Sequence, residues 1–305
     1  MAFQVLLYYW FTEVADPEGF ARRHRELCEK LNLRGRILIA PEGINGTVSG
    51  LVADCEAYQT ALRAEPGFGD MEFKVDPAEG HAFKAMHVRV RPEIITLGAD
   101  ASGPTALHLD AETWRDMMAR EDAVILDGRN AYESELGHFA NAICPPIQNF
   151  RELPEWLQAH RDEFAGKQIL TYCTGGIRCE KLTAWMLANG FENVFQLDGG
   201  IVKYGQDPAT AGEGFVGVNV VFDERVQVSA GERSQPLTAC RQCGAASANY
   251  VNCANVECNL RMILCPECEE STGRCCSEAC RAAPRQRLKG KKWHESPRRL
   301  HDQAR

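Results

Sequence analysis

One consecutive strand, loop and helix decide the fold of the middle of this chain, and they read QILTYCTGGIRCEKLTAWMLA over residues 168–188. The first five residues are mostly apolar and predict a buried strand, and the apolar positions after the loop recur at helical spacing. Between strand and helix, Gly175 and Gly176 accept the backbone angles of a tight loop. The loop begins at Cys173 and ends at Arg178.

The position of Cys173 favours a reactive thiolate. Backbone N–H groups of the loop, which also contains Thr174 and Ile177, converge at a helix start, where the helix dipole favours an anion. Arg178 adds a fixed positive charge, and both influences lower a thiol pKa. We therefore predict that Cys173 is a catalytic nucleophile and that Arg178 stabilises its negative charge.

Cys179 follows the arginine directly and leaves two interpretations open. Its thiol could resolve a persulfide or a disulfide on Cys173. It could equally be a small residue packed in the first helical turn, and this packing interpretation is the favoured one. We expect His138 to be structural rather than a general base.

Strands alternate with helices on both sides of the loop. We predict strands over residues 123–127, 168–172 and 194–197, and helices from the cap Asp110 to about residue 120, over 153–164 and over 178–188. Such alternation is typical of an α/β unit with a parallel sheet covered on both faces.

The N-terminal residues predict a different unit. Strands are expected over residues 4–11, 36–40, 47–49, 71–75 and 86–91, with one helix opening at Asp16-Pro17 and another over 51–63. The order βαββαβ with one further strand predicts a ferredoxin-like, acylphosphatase-like α+β sandwich. Residues 41–46 are expected to form a tight turn around Gly43 and Gly46 rather than a nucleotide-binding loop.

We therefore divide the sequence into three regions. The ferredoxin-like domain covers residues 1–98, and the α/β domain covers residues 104–214. A linker of small, turn-forming residues at 98–104 joins them. Residues 215–305 hold a connector, a cysteine-rich segment and a basic tail.

The cysteine-rich segment predicts a metal site. Nine of the 14 cysteines fall between residues 240 and 280, in four closely spaced groups. Four thiolates satisfy one tetrahedral Zn²⁺, so we predict two structural zinc ions, the first and third groups binding one ion and the second and fourth the other. Sequential pairing and an iron–sulfur cluster are the alternatives. The expected ligands are Cys240, Cys243, Cys253, Cys258, Cys265, Cys268, Cys276 and Cys280, with Cys275 as an alternate.

Charge and hydropathy limit the binding partners and the cellular location that we expect for this protein. The net charge is −8, yet residues 281–305 hold nine Lys or Arg against two acids. Such a tail either contacts nucleic acid or is simply solvated. No apolar run reaches the length of a membrane helix and no export signal opens the chain, so we expect a cytoplasmic protein with no membrane partner. We find no motif for a flavin or a nicotinamide cofactor.

The middle region resembles a rhodanese domain over roughly residues 106–210. That family carries its catalytic cysteine on a six-residue loop ending in arginine, as at residues 173–178. The stretches ILDGR (125–129), YE (132–133) and GHFANA (137–142) match its other recurring motif. The resemblance implies sulfur chemistry and adds Asp127 and Arg129 as accessory site residues. Gly128 and Cys144 are mild departures from the family pattern.

The whole arrangement resembles the bacterial rhodanese-family tRNA uridine hydroxylases. Its components are the ferredoxin-like region, the motif YCTGGIRCEK (172–181), the connector VFDER (221–225) and the cysteine-rich end. The resemblance implies oxygen-dependent conversion of the wobble uridine of tRNA to 5-hydroxyuridine, with molecular oxygen as co-substrate and Cys173 as the essential residue. The residues alone do not point to hydroxylation, and a small-molecule reductant or sulfur donor would be a further partner.

Two other functions compete with this one. A sulfurtransferase would pass persulfide sulfur to a small acceptor or to tRNA. A zinc-stabilised RNA-binding adaptor would keep the rhodanese unit as a vestige, which the intact Cys173 and Arg178 argue against.

We expect tRNA to bind across the N-terminal region and the mouth of the Cys173 loop, because an anticodon base must be splayed out to reach that loop. Solvated charges at a strand edge are the alternative explanation, favoured for any one of the candidates alone. The candidate phosphate contacts are Arg34, Arg36, Lys84, Arg89 and Arg91.

Overall fold

A computed structural model describes residues 2–221, 223, 225, 227–228, 230–231 and 235–287. The predicted basic tail lies outside the described residues from position 288 onward, as do Phe222 and Glu224 of the connector. The chain forms two compact units. The first is Met1–Ala131 with Asn141–Glu213, and the second is Tyr132–Ala140 with the described part of Gly214–Arg305.

The N-terminal domain confirms the ferredoxin-like prediction. Its elements are β1 (Phe3–Phe11), α1 (Pro17–Lys30), β2 (Arg34–Ala40), β3 (Gly43–Leu51), α2 (Val52–Arg63), β4 (Lys74–Ala78) and β5 (Met86–Val90). The sheet order is β4-β1-β3-β2-β5, antiparallel except where β2 and β5 run parallel. Asp16 starts α1 by accepting a hydrogen bond from the Gly19 N–H at 2.8 Å, with Pro17 as the first helical residue.

Alternation along the strands separates two faces of this sheet. One face carries residues such as Leu6, Tyr8 and Ile37, which are fully buried with Phe20 and Tyr58 of the helices. Their neighbours in sequence point the other way and are only half-buried. We call this second side the open face; its residues include Leu7, Tyr9, Arg36, Leu38, Asn45 and Thr47.

The predicted turn at residues 41–46 is wrong in extent, because β3 begins at Gly43. Gly43 has a φ of 142°, and a Cβ there would lie 2.0 Å from the carbonyl oxygen of Trp10. At Gly46 a Cβ would lie 2.4 Å from the ring of Tyr8. Both glycines therefore serve the close approach of β3 to β1, and only Pro41 and Glu42 make the turn.

The middle region confirms the parallel α/β prediction. Its elements are β6 (Leu107–Leu109), α3 (Ala111–Met118), β7 (Ala123–Asp127), α4 (Ala131–Ser134), β8 (Gly137–Phe139), α5 (Leu153–Ala159), β9 (Gln168–Tyr172), α6 (Ile177–Ala188), β10 (Val194–Leu197) and α7 (Gly200–Gln206). The sheet has the order β6-β10-β9-β7, and every neighbouring pair is parallel. The Asp110 carboxylate caps α3 by accepting from the Thr113 N–H at 2.8 Å, as predicted.

Two details of this region differ from the sequence prediction. The helix expected over 153–164 ends at Ala159 and continues as a 3-10 turn, Arg161–Phe164. His160 Nδ1 lies 2.8 Å from the Trp156 carbonyl oxygen. The imidazole ring therefore contacts a backbone acceptor of the last helical turn. The predicted linker 98–104 is irregular but not a free tether, because Ala99 and Ala101 pack against the same core as buried Leu97.

The second unit joins β8 to the C-terminal region. β8 pairs with β11, and Leu136 packs with Val218, Val220 and Tyr250. The remaining elements are β11 (Phe215–Gly217), β12 (Asn219–Val220), β13 (Gln227–Val228), β14 (Tyr250–Asn252), β15 (Arg261–Ile263), α8 (Pro266–Ser271) and α9 (Glu278–Arg281). No helix among the described residues is long and apolar enough to cross a membrane.

We expect Gly43→Ala to lower the free energy of unfolding, since its Cβ would meet the Trp10 carbonyl in a backbone conformation that costs an L-residue about 1–3 kcal/mol. Gly69→Ala is the control, because a Cβ at Gly69 meets nothing within 4 Å and should change stability by less than about 0.5 kcal/mol. Urea denaturation followed by circular dichroism measures both. Equal midpoints for the two variants would contradict this account of β3.

Candidate active site

The Cys173 loop is closed around the sulfur. The Gly176 N–H donates a hydrogen bond to Cys173 Sγ at 3.1 Å, and Gly176 holds a φ of 98° that favours glycine. The residue is 1% exposed. The tight loop with N–H groups directed at the cysteine, as expected from the sequence, is therefore present between the end of β9 and the start of α6.

The start of α7 is hydrogen-bonded to the backbone of this loop. The N–H groups of Ile201 and Val202 donate to the carbonyl oxygens of Cys173 and Thr174, each at 3.0 Å. A Cβ on Gly200, whose φ is 66°, would lie 2.4 Å from the Cys173 carbonyl oxygen. This role of Gly200 was not predicted from the sequence, although a Gly199-Gly200 pair one residue after the predicted strand 194–197 was a signal for it.

The surroundings of Cys173 favour its ionised form. Burial opposes ionisation, but the hydrogen bond from the Cys179 thiol, the charge of Arg178 and the backbone N–H groups of both residues outweigh it and lower the pKa of Cys173 to about 5. The thiolate is thus the form present at neutral pH.

Cys179 is fully buried in the first turn of α6, as the packing interpretation expects. Its thiol is also one of the causes that lower the pKa of Cys173. Burial and then the neighbouring Cys173 raise the pKa of Cys179 well above its ordinary value, so Cys179 keeps its proton while Cys173 is ionised. The arrangement places a proton donor beside the thiolate.

Arg178 and the Asp127–Arg129 pair occupy different places. Arg178 is buried at the start of α6, where its Nη2 donates to Thr174 Oγ1 at 3.3 Å within the loop. Asp127 and Arg129 form an ion pair with a 2.7 Å contact, and both side chains are fully buried. Tyr172, the residue before Cys173, donates its hydroxyl to Asp127 at 2.7 Å. The pair therefore braces the strand end from which the loop begins.

The N-terminal domain contributes residues that the sequence analysis missed. A Cβ on Gly176 would lie 2.7 Å from the Tyr9 hydroxyl, and one on Gly175 would lie 2.9 Å from Leu7. Tyr9 donates to Glu180 Oε1 of α6 at 2.8 Å. The open face of the N-terminal sheet therefore covers the Cys173 loop, and no local sequence signal marks Leu7 or Tyr9 as more than strand residues.

Lys74 brings a second cation to this cover. Its Nζ lies 4.9 Å from the centre of the Tyr9 ring, and its Cε would lie 3.0 Å from a Cβ on Gly199. Burial lowers the pKa of Lys74, while the negative charges of Asp198 and Cys173 oppose that shift. The ammonium thus stands where it attracts negative charge at the loop.

Glu180 connects the two domains through several donors. Besides Tyr9, it accepts hydrogen bonds from His108 Nε2 at 3.0 Å and from Gln196 Nε2 at 3.2 Å. Burial works against ionisation of Glu180, but these donors lower its pKa overall, and the hydrogen bond to Glu180 raises the pKa of His108. An ionised Glu180 is therefore a fixed acceptor for the Tyr9 hydroxyl.

The candidate RNA contacts spread over β2, β5 and their flanks. Arg34 and Arg36 lie on β2, Arg89 lies on β5, and Arg91 follows it. Arg34, Arg89 and Arg91 are exposed, and none of these three pairs with a carboxylate of the described residues. Arg36 is half-buried and has an interaction partner, as does exposed Lys84 in the segment before β5.

The cysteine-rich segment forms two groups of four sulfurs, and these combine the first with the third sequence group and the second with the fourth, as predicted. Cys240, Cys243, Cys265 and Cys268 have sulfurs within 4.8 Å of one another, and so do those of Cys253, Cys258, Cys276 and Cys280. Cys275 belongs to neither group and points its sulfur toward the Gly273 carbonyl at 3.6 Å. Four thiols at such distances suit a tetrahedral metal ion.

Known families and relatives cover nearly the whole chain. Family models described as "UPF0176 acylphosphatase like domain", "Rhodanese-like domain" and "Rhodanase C-terminal" match residues 3–94, 110–207 and 216–281. A Shouchella clausii protein described as "tRNA uridine(34) hydroxylase" is 48% identical over 289 residues, or 93% of this chain and 90% of the relative. A Bacillus cereus protein with that description is 48% identical over 290 residues, or 93% and 91%. The chain belongs to the tRNA uridine(34) hydroxylase family.

This membership confirms the resemblance predicted from the rhodanese motif, the N-terminal region and the cysteine-rich end. Solved structures are similar to this member of the hydroxylase family in part. A rhodanese-like domain protein from Staphylococcus aureus has a TM-score of 0.28 and 20% identity, covering 32% of this chain and 91% of its own. A rhodanese-like domain from Anabaena sp. has a TM-score of 0.28 and 23% identity, covering 32% and 73%.

We expect alkylation of Cys173 by iodoacetamide to fall as the pH drops through about 5, because protonation removes the thiolate. Cys179→Ala removes a hydrogen-bond donor and should move this midpoint upward, whereas Cys55→Ala, on the helix-covered side of the N-terminal domain, should not. Trypsin cleaves after Arg178, so mass spectrometry reads residues 168–178 and 179–181 as separate peptides. A midpoint near the usual thiol pKa of about 8.5 would refute the ionised state.

Proposed function

We propose that this protein hydroxylates the wobble uridine of tRNA to 5-hydroxyuridine, that molecular oxygen is the co-substrate, and that the Cys173 thiolate is essential. The observation that carries the proposal is the buried Cys173, whose sulfur accepts the Gly176 N–H on a loop ending at Arg178, in a chain whose relatives over nearly its full length are described as tRNA uridine(34) hydroxylases. A tRNA substrate also agrees with the cytoplasmic location predicted from the sequence.

The groups around the sulfur suit a site where negative charge develops. The Gly176 N–H, Arg178 and the Cys179 thiol stabilise an anion at Cys173 Sγ, and Lys74 adds an ammonium from the N-terminal domain. A persulfide on Cys173 would present its terminal sulfur to the same donors. Asp127 and Arg129 act as positioning residues, since they brace Tyr172 without exposed surface of their own.

Hydroxylation by molecular oxygen also needs a source of electrons. One oxygen atom enters the uridine and the other leaves as water, so a donor must supply two electrons and two protons. We propose that a small-molecule reductant fills this role. A sulfur donor would act differently, since it would pass its outer sulfur to the Cys173 thiolate to form a persulfide and leave as a thiolate. Neither a flavin nor a nicotinamide is part of the proposal.

Sulfur transfer is the second candidate function. The cysteine-to-arginine loop of six residues is the feature that favours it, because the same cradle stabilises a persulfide. An RNA-binding adaptor without catalysis fits less well, since a vestigial site would have no need to keep a buried thiolate surrounded by donors.

Replacing Cys173 by Ser should abolish the hydroxylated nucleoside and leave tRNA affinity within about twofold, because the volume is kept while the readily ionised sulfur is lost. Cys144→Ser, a half-buried cysteine of the same domain outside the loop, is the control. Mass spectrometry of tRNA nucleosides from cells carrying only the variant gives the readout. Full 5-hydroxyuridine with Cys173→Ser would overturn the proposed role, and loss of a thiolated nucleoside instead would favour sulfur transfer.

We also propose that the two cysteine groups bind two structural Zn²⁺ ions. Elemental analysis of protein purified without added metal should give two zinc ions per chain. Cys276→Ser should lose one ion because it breaks a set of four, while its neighbour Cys275→Ser should keep both. Iron with visible absorbance, or an ion lost from Cys275→Ser and not from Cys276→Ser, would contradict the assignment.

A further inference from the structure

A cavity of about 350 Å³ opens within the first compact unit, between residues of the N-terminal domain and of the rhodanese domain. Residues of the N-terminal open face, of the segment after β5 and of the corner before α5 line it. Those that matter here are Leu38, Asn45, Arg91, Glu93, Phe150 and Arg151. Its volume is near the lower end of the range for small-molecule sites, which suits one nucleotide rather than a helical stem.

The cavity carries unbalanced positive charge. Arg91 and Arg151 are exposed, and neither pairs with a carboxylate of the described residues. The one acid in the lining, Glu93, shares Lys181 with Glu42, at 2.5 Å and 2.9 Å from the Lys181 Nζ, so this group leaves one net negative charge against the two arginines. Arg91 Nη1 donates to the Val90 carbonyl oxygen at 2.8 Å, which leaves its other N–H groups for a ligand. Two guanidinium groups without a carboxylate partner in the lining of a cavity are suited to phosphate oxygens.

The remaining walls suit a base. Asn45 donates its amide N–H to the Ile94 carbonyl at 3.0 Å, which fixes the side chain and leaves its amide oxygen available as an acceptor. Asn149 also lines the cavity, and its amide donates to Glu152 at 2.9 Å. Amide groups read the edges of unstacked bases in single-stranded RNA, while apolar groups such as Leu38 and Phe150 can contact a base face.

The cavity is connected to the Cys173 loop through two neighbouring strands. Asn45 of β3 lines the cavity, and Tyr9 of β1 contacts the loop. Asn45 pairs directly with Tyr9 in the β1–β3 register, and the two side chains share the open face. Tyr9 reaches the loop at Gly176, while Asn45 reaches the cavity. Neighbouring strands are about 5 Å apart, a separation of the order of that between successive nucleotides.

The rhodanese sheet gives the same placement independently. β7 and β9 are parallel neighbours, with Asp127 beside Tyr172. Cys173 follows Tyr172, and Asn130 of the cavity lining comes three residues after Asp127. The cavity and the sulfur therefore lie at the same carboxyl edge of this sheet, where ligands of parallel α/β sheets bind.

We propose that this cavity binds the nucleotide adjacent to the target uridine in the anticodon loop, with Arg91 and Arg151 on its flanking phosphates and Asn45 on its base. This inference rests on the proposed function, because it takes tRNA as the substrate. It names Arg151 and Asn45 as substrate-binding residues that the sequence did not indicate, and it groups Arg91 with them.

Charge reversal at both arginines tests the proposal. Arg91→Glu with Arg151→Glu should raise the dissociation constant for an anticodon stem-loop RNA at least tenfold and reduce its salt dependence by about two in log–log slope. The KM for tRNA should rise by a similar factor while kcat changes less than threefold. Arg22→Glu with Lys30→Glu, two exposed residues of α1 on the covered side of the sheet, is the matched control and should change affinity less than twofold.

Further measurements keep the outcome decisive. If charge reversal lowers the thermal midpoint, Arg91→Gln with Arg151→Gln must still weaken binding at least threefold. Removing the base on one side of the target uridine should weaken wild-type binding and have less effect on the Asn45→Ala variant. Unchanged affinity in both arginine variants would overturn the cavity assignment. If the wild-type protein forms no hydroxylated nucleoside but these variants still lose RNA affinity, the proposed reaction is wrong and the cavity assignment stands.

Discussion

The burial of a negatively charged sulfur is the constraint on which the rest of the active region depends. An ionised group inside a protein is costly unless donors surround it. Here the Gly176 N–H, the Cys179 thiol and the Arg178 guanidinium act together on Cys173. The loop must therefore hold its shape closely, and Gly200 meets that need by allowing α7 to approach the Cys173 carbonyl.

The same constraint explains the arrangement behind the loop. Tyr172 ends a central strand, and its hydroxyl is held by a fully buried carboxylate that is itself paired with Arg129. Loss of one member of such a pair leaves an uncompensated charge in the interior, which typically costs about 3–5 kcal/mol. Asp127 and Arg129 thus hold the strand end from which the Cys173 loop begins.

The N-terminal domain completes the site because one face of its sheet has no helix layer. Leu7 and Tyr9 cover the two loop glycines, and Tyr9 is tied to Glu180 of α6. The neighbouring strands leave Asn45 and the arginines of β2 and β5 beside this contact. One sheet face therefore shields the sulfur and carries the arginines that we propose as RNA contacts. The cysteine-rich segment is too short to form a large apolar core. Its clustered thiols can stabilise the fold instead when they bind metal.

Local pattern in the sequence determined the strand-loop-helix around Cys173, the alternation of strands and helices and the ferredoxin-like order. Each of these follows from spacing within a few residues or from helix and strand periodicity. Only the tertiary structure decided that Cys179 donates to Cys173, that Gly43 serves strand contact rather than a turn, and that Leu7, Tyr9, Lys74 and Gly200 belong to the site. These contacts join residues far apart in the chain, and a strand residue that meets a loop of another domain has the same local pattern as one that faces water.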